Sequence, residues 1–191
     1  MVLEVVQYGH PALRQKGARI EQITPELRRL IADMLETMYE YEGVGLAAQQ
    51  VGLALQLTVV DVRGATDRPS TLEIHGQPAE IAAHMPMVLI NPQVTPVGAP
   101  ETGPEGCLSF PEVYGDITRP GAVEVEAQDQ EGRPIKFRCG GLLARAIQHE
   151  VDHLNGILFI DRMPAETREK WQPELERMRA ATQAALARKK K

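Results

Sequence analysis

Two cysteines in 191 residues are too few for a disulfide scaffold. A single bridge between Cys107 and Cys139 would be a poor framework for a chain of this length. In a reducing compartment, a thiol near histidines reads better as a ligand or nucleophile, and otherwise as a small buried hydrophobe. The sequence has no run of about 18 apolar residues, so no transmembrane helix is expected. It has no basic start followed by an apolar stretch, and Met1 to His10 already includes Glu4. We therefore expect no secretory signal, no transit peptide and a cytoplasmic location. A surplus of positive charge is also missing. The net charge of −5 argues against general nucleic-acid binding, and no specific DNA site is expected. The balance is uneven, however. Residues 166–191 hold eight Lys/Arg against four Asp/Glu, a net of +4 that leaves −9 for the rest. Such a basic tail suits an anionic partner.

Hydrophobic residues at 43% and charged residues at 25% are the ordinary balance of a globular domain. Thr24-Pro25-Glu26 predicts a helix start: a capping hydroxyl, proline at the first helical position, then an acid. Leu27, Leu30, Ile31, Met34, Leu35 and Met38 then form one apolar stripe, with Gly43 as its stop. Leu57 to Val62 and Met87 to Ile90 are β-rich. The polar stretch between them, Arg63 to Pro86, is longer than most connections in a compact domain. Val123, Val125 and Ala127 alternate with polar residues, Asp129 to Gly132 reads as a turn, and Ile135 to Phe137 can return as the partner strand. Gly140-Gly141 opens a second helix carrying Leu142, Leu143, Ile147, Val151 and Leu154. Asn155-Gly156 can end it with a left-handed cap. A charged, Ala-rich helix follows Pro164. Strands and helices mix without a βαβ rhythm, and no repeat or linker divides them. The expected fold class is α+β, a single domain.

The strongest chemical signal is Gln148-His149-Glu150-Val151-Asp152-His153, an H-E-x-x-H run on the second helix. His149 and His153 lie four apart, so both imidazoles leave one helical face and can share a metal ion. Glu150 can then act as general base on a metal-bound water. The bland alternative is a pair of surface histidines. A catalytic site needs a third ligand and an open position. No histidine follows His153, which leaves Asp161, Glu166 or Glu169 downstream and the Cys107 thiol upstream, in Glu105-Gly106-Cys107-Leu108-Ser109. A third element, Gly43-Val44-Gly45-Leu46-Ala47-Ala48-Gln49-Gln50, combines close-approach glycines with two side-chain amides that could stabilise an oxyanion. Taken alone it is a Gly-rich turn. It lacks the Lys-Ser/Thr ending of a phosphate loop.

Together and in this order, the three elements resemble the signature motifs of peptide deformylases: G-x-G-L-A-A-x-Q, E-G-C-L-S and Q-H-E-x-D-H, matched at every specified position. The resemblance extends through Tyr8 to Arg14, Ile90-Asn91-Pro92 and His153 to Phe159, and covers most of residues 2–164. It implies a catalytic domain over 1–164 built around the metal-binding helix, with mixed or antiparallel sheets, and a C-terminal helix over 165–191 in the same domain. It also implies that Cys107, His149 and His153 hold one ion, Fe2+ in the cell, with Ni2+, Co2+ or Zn2+ able to replace it. Glu150 is then the base. The Gln50 amide and the Leu108 N–H are the oxyanion donors. Gly43 and Gly45 would bond an extended peptide, and Val44, Leu142, Ala146 and the ring face of His149 would line a methionine pocket. The implied substrate is the formylated N-terminus of a nascent chain, cut to formate and free methionine. The implied partner of the basic C-terminal helix is the ribosome.

Asp152 points away from the ligand face and reads either as a solvated charge or as a partner of Arg119. Cys139 reads as a core thiol. The long Arg63–Pro86 segment departs from the family's short connection and would either reshape access to the cleft or decorate a sheet edge. Gln49 occupies the motif's variable position. Rival readings are a general zinc metallopeptidase, a protein with a structural metal site, and an inactive relative. Structural sites are usually closed by four protein ligands, and no motif residue is lost here.

Overall fold

The computed structural model describes residues 1–191 and contains nine strands and three α-helices. Helix α1 (Pro25–Glu40) starts where the sequence predicts, with the Thr24 hydroxyl accepting from the Leu27 N–H at 3.1 Å. Leu27, Ile31, Met34 and Met38 are buried along its stripe, each contributing roughly 1.5–3 kcal/mol relative to exposure. The helix stops at Glu40, short of the expected Gly43. Glu42, not a glycine, takes the left-handed position (φ 56°), while Glu42 N–H and Gly43 N–H return to Tyr39 O and Met38 O at 3.1 and 2.9 Å. Those two bonds close a Schellman motif and offset a backbone penalty of about 1–2 kcal/mol.

Seven strands make one sheet: β1 (Gly45–Ala47), β2 (Leu57–Val60), β3 (Ser70–Ile74), β4 (Gln77–Pro78), β5 (Met87–Pro96), β8 (Ala122–Gln128) and β9 (Pro134–Gly140), in the order β1-β2-β5-β8-β9-β3-β4. β6 (Pro100–Cys107) and β7 (Phe110–Pro120) pair as a separate ribbon. Every ladder is antiparallel. The predicted β8–β9 hairpin is present, its turn held by Asp129 Oδ1, which accepts from Glu131 N–H and Arg133 N–H at 2.9 Å each. β5 runs past the expected Ile90 across a bulge. Asn91 sits there at φ 52°, its side chain bonded to both the N–H and the O of Ile20. The long polar segment is not featureless. It supplies β3 and β4, which extend the sheet edge beyond β9.

Helix α2 (Gly141–Leu154) lies on this sheet. Its Leu142, Leu143, Ala144, Ala146 and Ile147 complete the main core with residues such as Leu89, Val125, Phe137 and Cys139. The long segment also caps α2: Leu142 N–H donates to Pro69 O at 2.9 Å and Leu143 N–H to Ser70 Oγ at 3.0 Å. The far end closes as predicted, with Gly156 at φ 74° and bonds from Gly156 N–H to His153 O and from Ile157 N–H to Asp152 O. A second core cluster sits between α1 and β1, β2 and β5. A third gathers around Phe110 and Phe159. Leu175 of helix α3 (Ala165–Lys189) enters that third cluster, and Trp171 Nε1 donates to Tyr114 O at 2.8 Å. The end of α3, with Arg188, Lys189, Lys190 and Lys191, is exposed.

Candidate active site

α2 carries His149 and His153 on one face, at a ring-centroid distance of 5.1 Å. The end of β6 brings Cys107 to them. Its Sγ is 3.4 Å from His153 Nε2, and the donor atoms of all three residues lie within 4.8 Å of one another. Asp161 is tied instead to Arg14 at 2.6 Å, and Glu166 and Glu169 lie on α3, so the downstream acids do not join the cluster. A thiolate with two imidazoles is a donor set for borderline divalent metals. The orientation fits as well. His149 Nδ1 lies 2.9 Å from Glu105 Oε1; read as an Nδ1–H donor, that contact leaves Nε2 free for an ion. Burial holds His153 well below its usual imidazole value, hence neutral. Burial also acts to lower His149, but its bonds to Cys107 and Glu105 prevail and raise it well above the usual value. A cation on Nε2 would take the place of the proton favoured there.

Glu150 is buried, and its Oε2 has no hydrogen-bond partner. Burial pushes its carboxyl up to about 7 against the pull of His149 and Arg119. Gly45 lets it stand there, since a Cβ on Gly45 would lie 2.8 Å from Glu150 Cγ. Gln50 Oε1 accepts from Ala47 N–H at 2.9 Å. That fixes the amide so that its Nε2 faces Cys107 Sγ at 3.5 Å and Ser109 Oγ at 3.4 Å. A cleft of about 660 Å³ opens over these groups, and Gly43, Val44, Gly45, Gln50, Cys107, Leu108, Leu142, Ala146, His149 and Glu150 all line it. His153 lies behind it. Tyr41, Glu42, Arg68, Glu112, Tyr114 and Arg145 also line the cleft, and the sequence motifs did not single them out. Arg145 had a signal: it is four residues before His149, on the same helical face. Arg68 belongs to the long segment, which thus both borders the cleft and builds the sheet edge.

Beneath the ligands runs a buried ionic network. Glu105 receives Arg119 Nε and Nη2 at 2.6 and 2.9 Å and Arg145 Nη1 at 2.7 Å. Burial works against its charge, yet His149 and Arg119 hold its carboxyl far below the usual range. Asp152 pairs with Arg119 at 2.9 Å, as the sequence suggests, and also with Arg162 at 2.6 Å. Cys139 is remote from all of this. It is a free core thiol that burial pushes up to about 12. A second groove of about 730 Å³, between β3, β5, β8 and β9, contains no such cluster.

The sequence model of the family described as polypeptide deformylase matches residues 2–169. The chain belongs to that family. It is 50% identical to a peptide deformylase of Methylacidiphilum infernorum over 94% of both chains, and 46% identical to one of Opitutus terrae over 97% of both. Among solved structures, the peptide deformylase of Thermus thermophilus superposes with a TM-score of 0.80 at 37% identity, covering 95% of this chain and 99% of that one. A peptide deformylase of Synechococcus elongatus, solved in complex with actinonin, gives 0.75 at 42% identity over 90% and 85%. The activity is therefore that of a metal-dependent hydrolase, removing the formyl group from the N-terminal formylmethionine of newly made polypeptides and releasing formate. No helix is long and apolar enough to cross a membrane.

Proposed function

We propose that Cys107, His149 and His153 hold one divalent ion, Fe2+ in the cell, and that Glu150 works on the water that attacks the formyl carbon. The observation that carries this reading is the buried Glu150 carboxyl, whose Oε2 has no hydrogen-bond partner and whose Oε1 stands 3.9 Å from His149 Nε2, beside three donor atoms within 4.8 Å. A bound divalent cation supplies a Lewis acid that acidifies water and polarises the carbonyl. Glu150 takes the water's proton and returns it to the amine nitrogen as the C–N bond breaks. Gln50 Nε2 and the Leu108 N–H donate to the oxygen that gains charge. Gly43 and Gly45 align the peptide, and Val44, Leu142 and Ala146 enclose the methionine side chain. Residues 1–164 form the catalytic domain, with 165–191 as a helix of the same domain, working in the cytoplasm. The test is formate release from formyl-Met-Ala-Ser with and without a chelator. Turnover that survives full metal removal would overturn the assignment.

If iron is the native ion, turnover should decay in air as the iron and the Cys107 thiolate oxidise, while a nickel-loaded form lasts longer. Equal lifetimes in air and under argon, with iron verified in the protein, would contradict iron as the active ion. The exposed Arg188–Lys191 end of α3 suits a surface of nucleic-acid phosphates, and we propose that it docks the enzyme on the ribosome. Deleting residues 180–191 should leave turnover of a short formyl-peptide nearly unchanged and weaken co-sedimentation with ribosomes at low salt. Equal co-sedimentation of both forms would reduce the tail to a solvated helix end.

A further inference from the structure

The carboxylate behind His149 is shared. Glu105 Oε1 faces His149 Nδ1 at 2.9 Å and Arg119 Nη2 at 2.9 Å, while Oε2 takes Arg119 Nε at 2.6 Å and Arg145 Nη1 at 2.7 Å. Glu105 lies two residues before Cys107 on β6, and Arg145 lies one turn before His149 on α2. The Arg145–Glu105 pair therefore bridges the two elements that carry the ligands. The remaining reach of the guanidinium is taken up by backbone: Nη1 also donates to Ile117 O at 2.8 Å, and Nη2 to Glu101 O at 2.9 Å. Both terminal nitrogens are thus engaged within the protein, so Arg145 is not poised as a free cation for substrate, although it borders the cleft.

We propose that Arg145 is a positioning residue for the metal centre, acting through Glu105. Its Nη1, fixed in turn by Ile117 O, bonds Glu105 Oε2 beside the two-bond fork of Arg119 and completes the lock on the Glu105 rotamer, so the carboxylate stays in line with His149 Nδ1 and holds the ring with Nε2 toward Cys107. It also ties the β6–β7 ribbon to α2, through Glu101 on β6 and Ile117 on β7. A guanidinium held by three separate acceptors fixes the direction of its one bond to Glu105, which a point charge does not. Two effects of removing it have opposite signs. Loss of the lock weakens metal binding, whereas loss of a nearby positive charge strengthens it. The charge effect is the smaller one, because the Glu105 carboxylate accepts directly from Arg145 and offsets it. The network sets Arg119, Arg145 and the partly exposed Arg162 against Glu105 and Asp152, so cationic charge remains in it without Arg145.

The test measures Co2+ affinity by chelator competition, together with the cobalt absorption spectrum, on wild type, Arg145→Met and Arg145→Lys. All are read at a temperature where circular dichroism shows each protein folded. Because the proposal rests on the ligand assignment above, wild type comes first: failure to bind one Co2+ with a thiolate-to-cobalt band would sink that assignment instead. Given wild-type binding, Arg145→Met should weaken Co2+ affinity by about 10-fold or more, the usual scale for groups behind a metal ligand. Its cobalt bands should shift, and Arg145→Lys should recover part of both. A folded Arg145→Met with unchanged or tighter affinity and an unchanged spectrum overturns the proposal, even if its Tm falls. If Arg145→Met does not fold, Arg145→Lys decides alone. Weaker affinity then supports the role, and wild-type affinity and spectrum overturn it.

Discussion

Glu150→Gln should retain one metal ion per chain and lose about 10² to 10⁴-fold in formate release. The substitution is nearly isosteric, and Cys107, His149 and His153 are untouched, so the ligand cluster survives. What goes is the one buried carboxylate oxygen that has no hydrogen-bond partner, in the wall of the cleft. An amide cannot take a proton from water at neutral pH or return it to the leaving amine, so both halves of the proton transfer fail together. The loss should fall on kcat more than on KM, since Glu150 is assigned no contact with the peptide. Stability should rise or hold, because burial already works against the charged form of this group. Metal analysis and a thermal melt run beside the formate assay separate the possibilities. Activity within a few-fold of wild type, at full metal content, would remove Glu150 from the role of base.

Helix α2 was legible because its two histidines, its apolar stripe and its Asn155-Gly156 end all point to the same element. Antiparallel alternation in Val123, Val125 and Ala127 likewise gave the β8–β9 hairpin away. The β6–β7 ribbon was not legible. Pro-Glu-Thr-Gly-Pro-Glu-Gly-Cys is poor in β-branched residues and rich in breakers, and it becomes a strand because β7 pairs with it residue by residue. Tertiary pairing overrides propensity there, and the strand that carries Cys107 is the result. The stop of α1 was misplaced for a related reason. A glycine one residue too late drew the expectation, while Glu42 accepts the left-handed geometry because two backbone bonds hold it. Within the site, the motifs name the residues that border the cleft and the two acids behind them, Glu105 and Asp152, with Arg119 as a candidate partner of Asp152, but not the other two arginines of the network. Arg145 is 40 residues from Glu105, and Arg162, ten residues from Asp152, belongs to no motif, so only the fold reveals that they meet.

Gly45→Ala should cost about 10²-fold in turnover while leaving most of the fold intact. Gly45 opens β1 and pairs with Val60, so its backbone is fixed by the sheet and cannot drift to make room. A methyl built on it would sit 2.8 Å from Glu150 Cγ and 3.0 Å from both Cδ and Oε1. Carbon contacts settle near roughly 3.5–4.0 Å, so one partner must yield. The sheet side will not, and the Glu150 backbone is held inside α2; the Glu150 side chain is therefore the part that moves. A displacement of about 1 Å at a reacting group is enough for a loss of this size. Overpacking at a single methyl costs about 1–3 kcal/mol, a tolerable fraction of folding stability. This variant differs from Glu150→Gln in one useful respect: the carboxylate remains, only misplaced. The deficit should shrink when the peptide is replaced by a small formamide that tolerates more than one approach, whereas the Gln variant stays inactive toward both. Gly45→Ala with wild-type kcat on the formyl-peptide would mean that Glu150 has room to spare, and that the glycine is there for the strand alone.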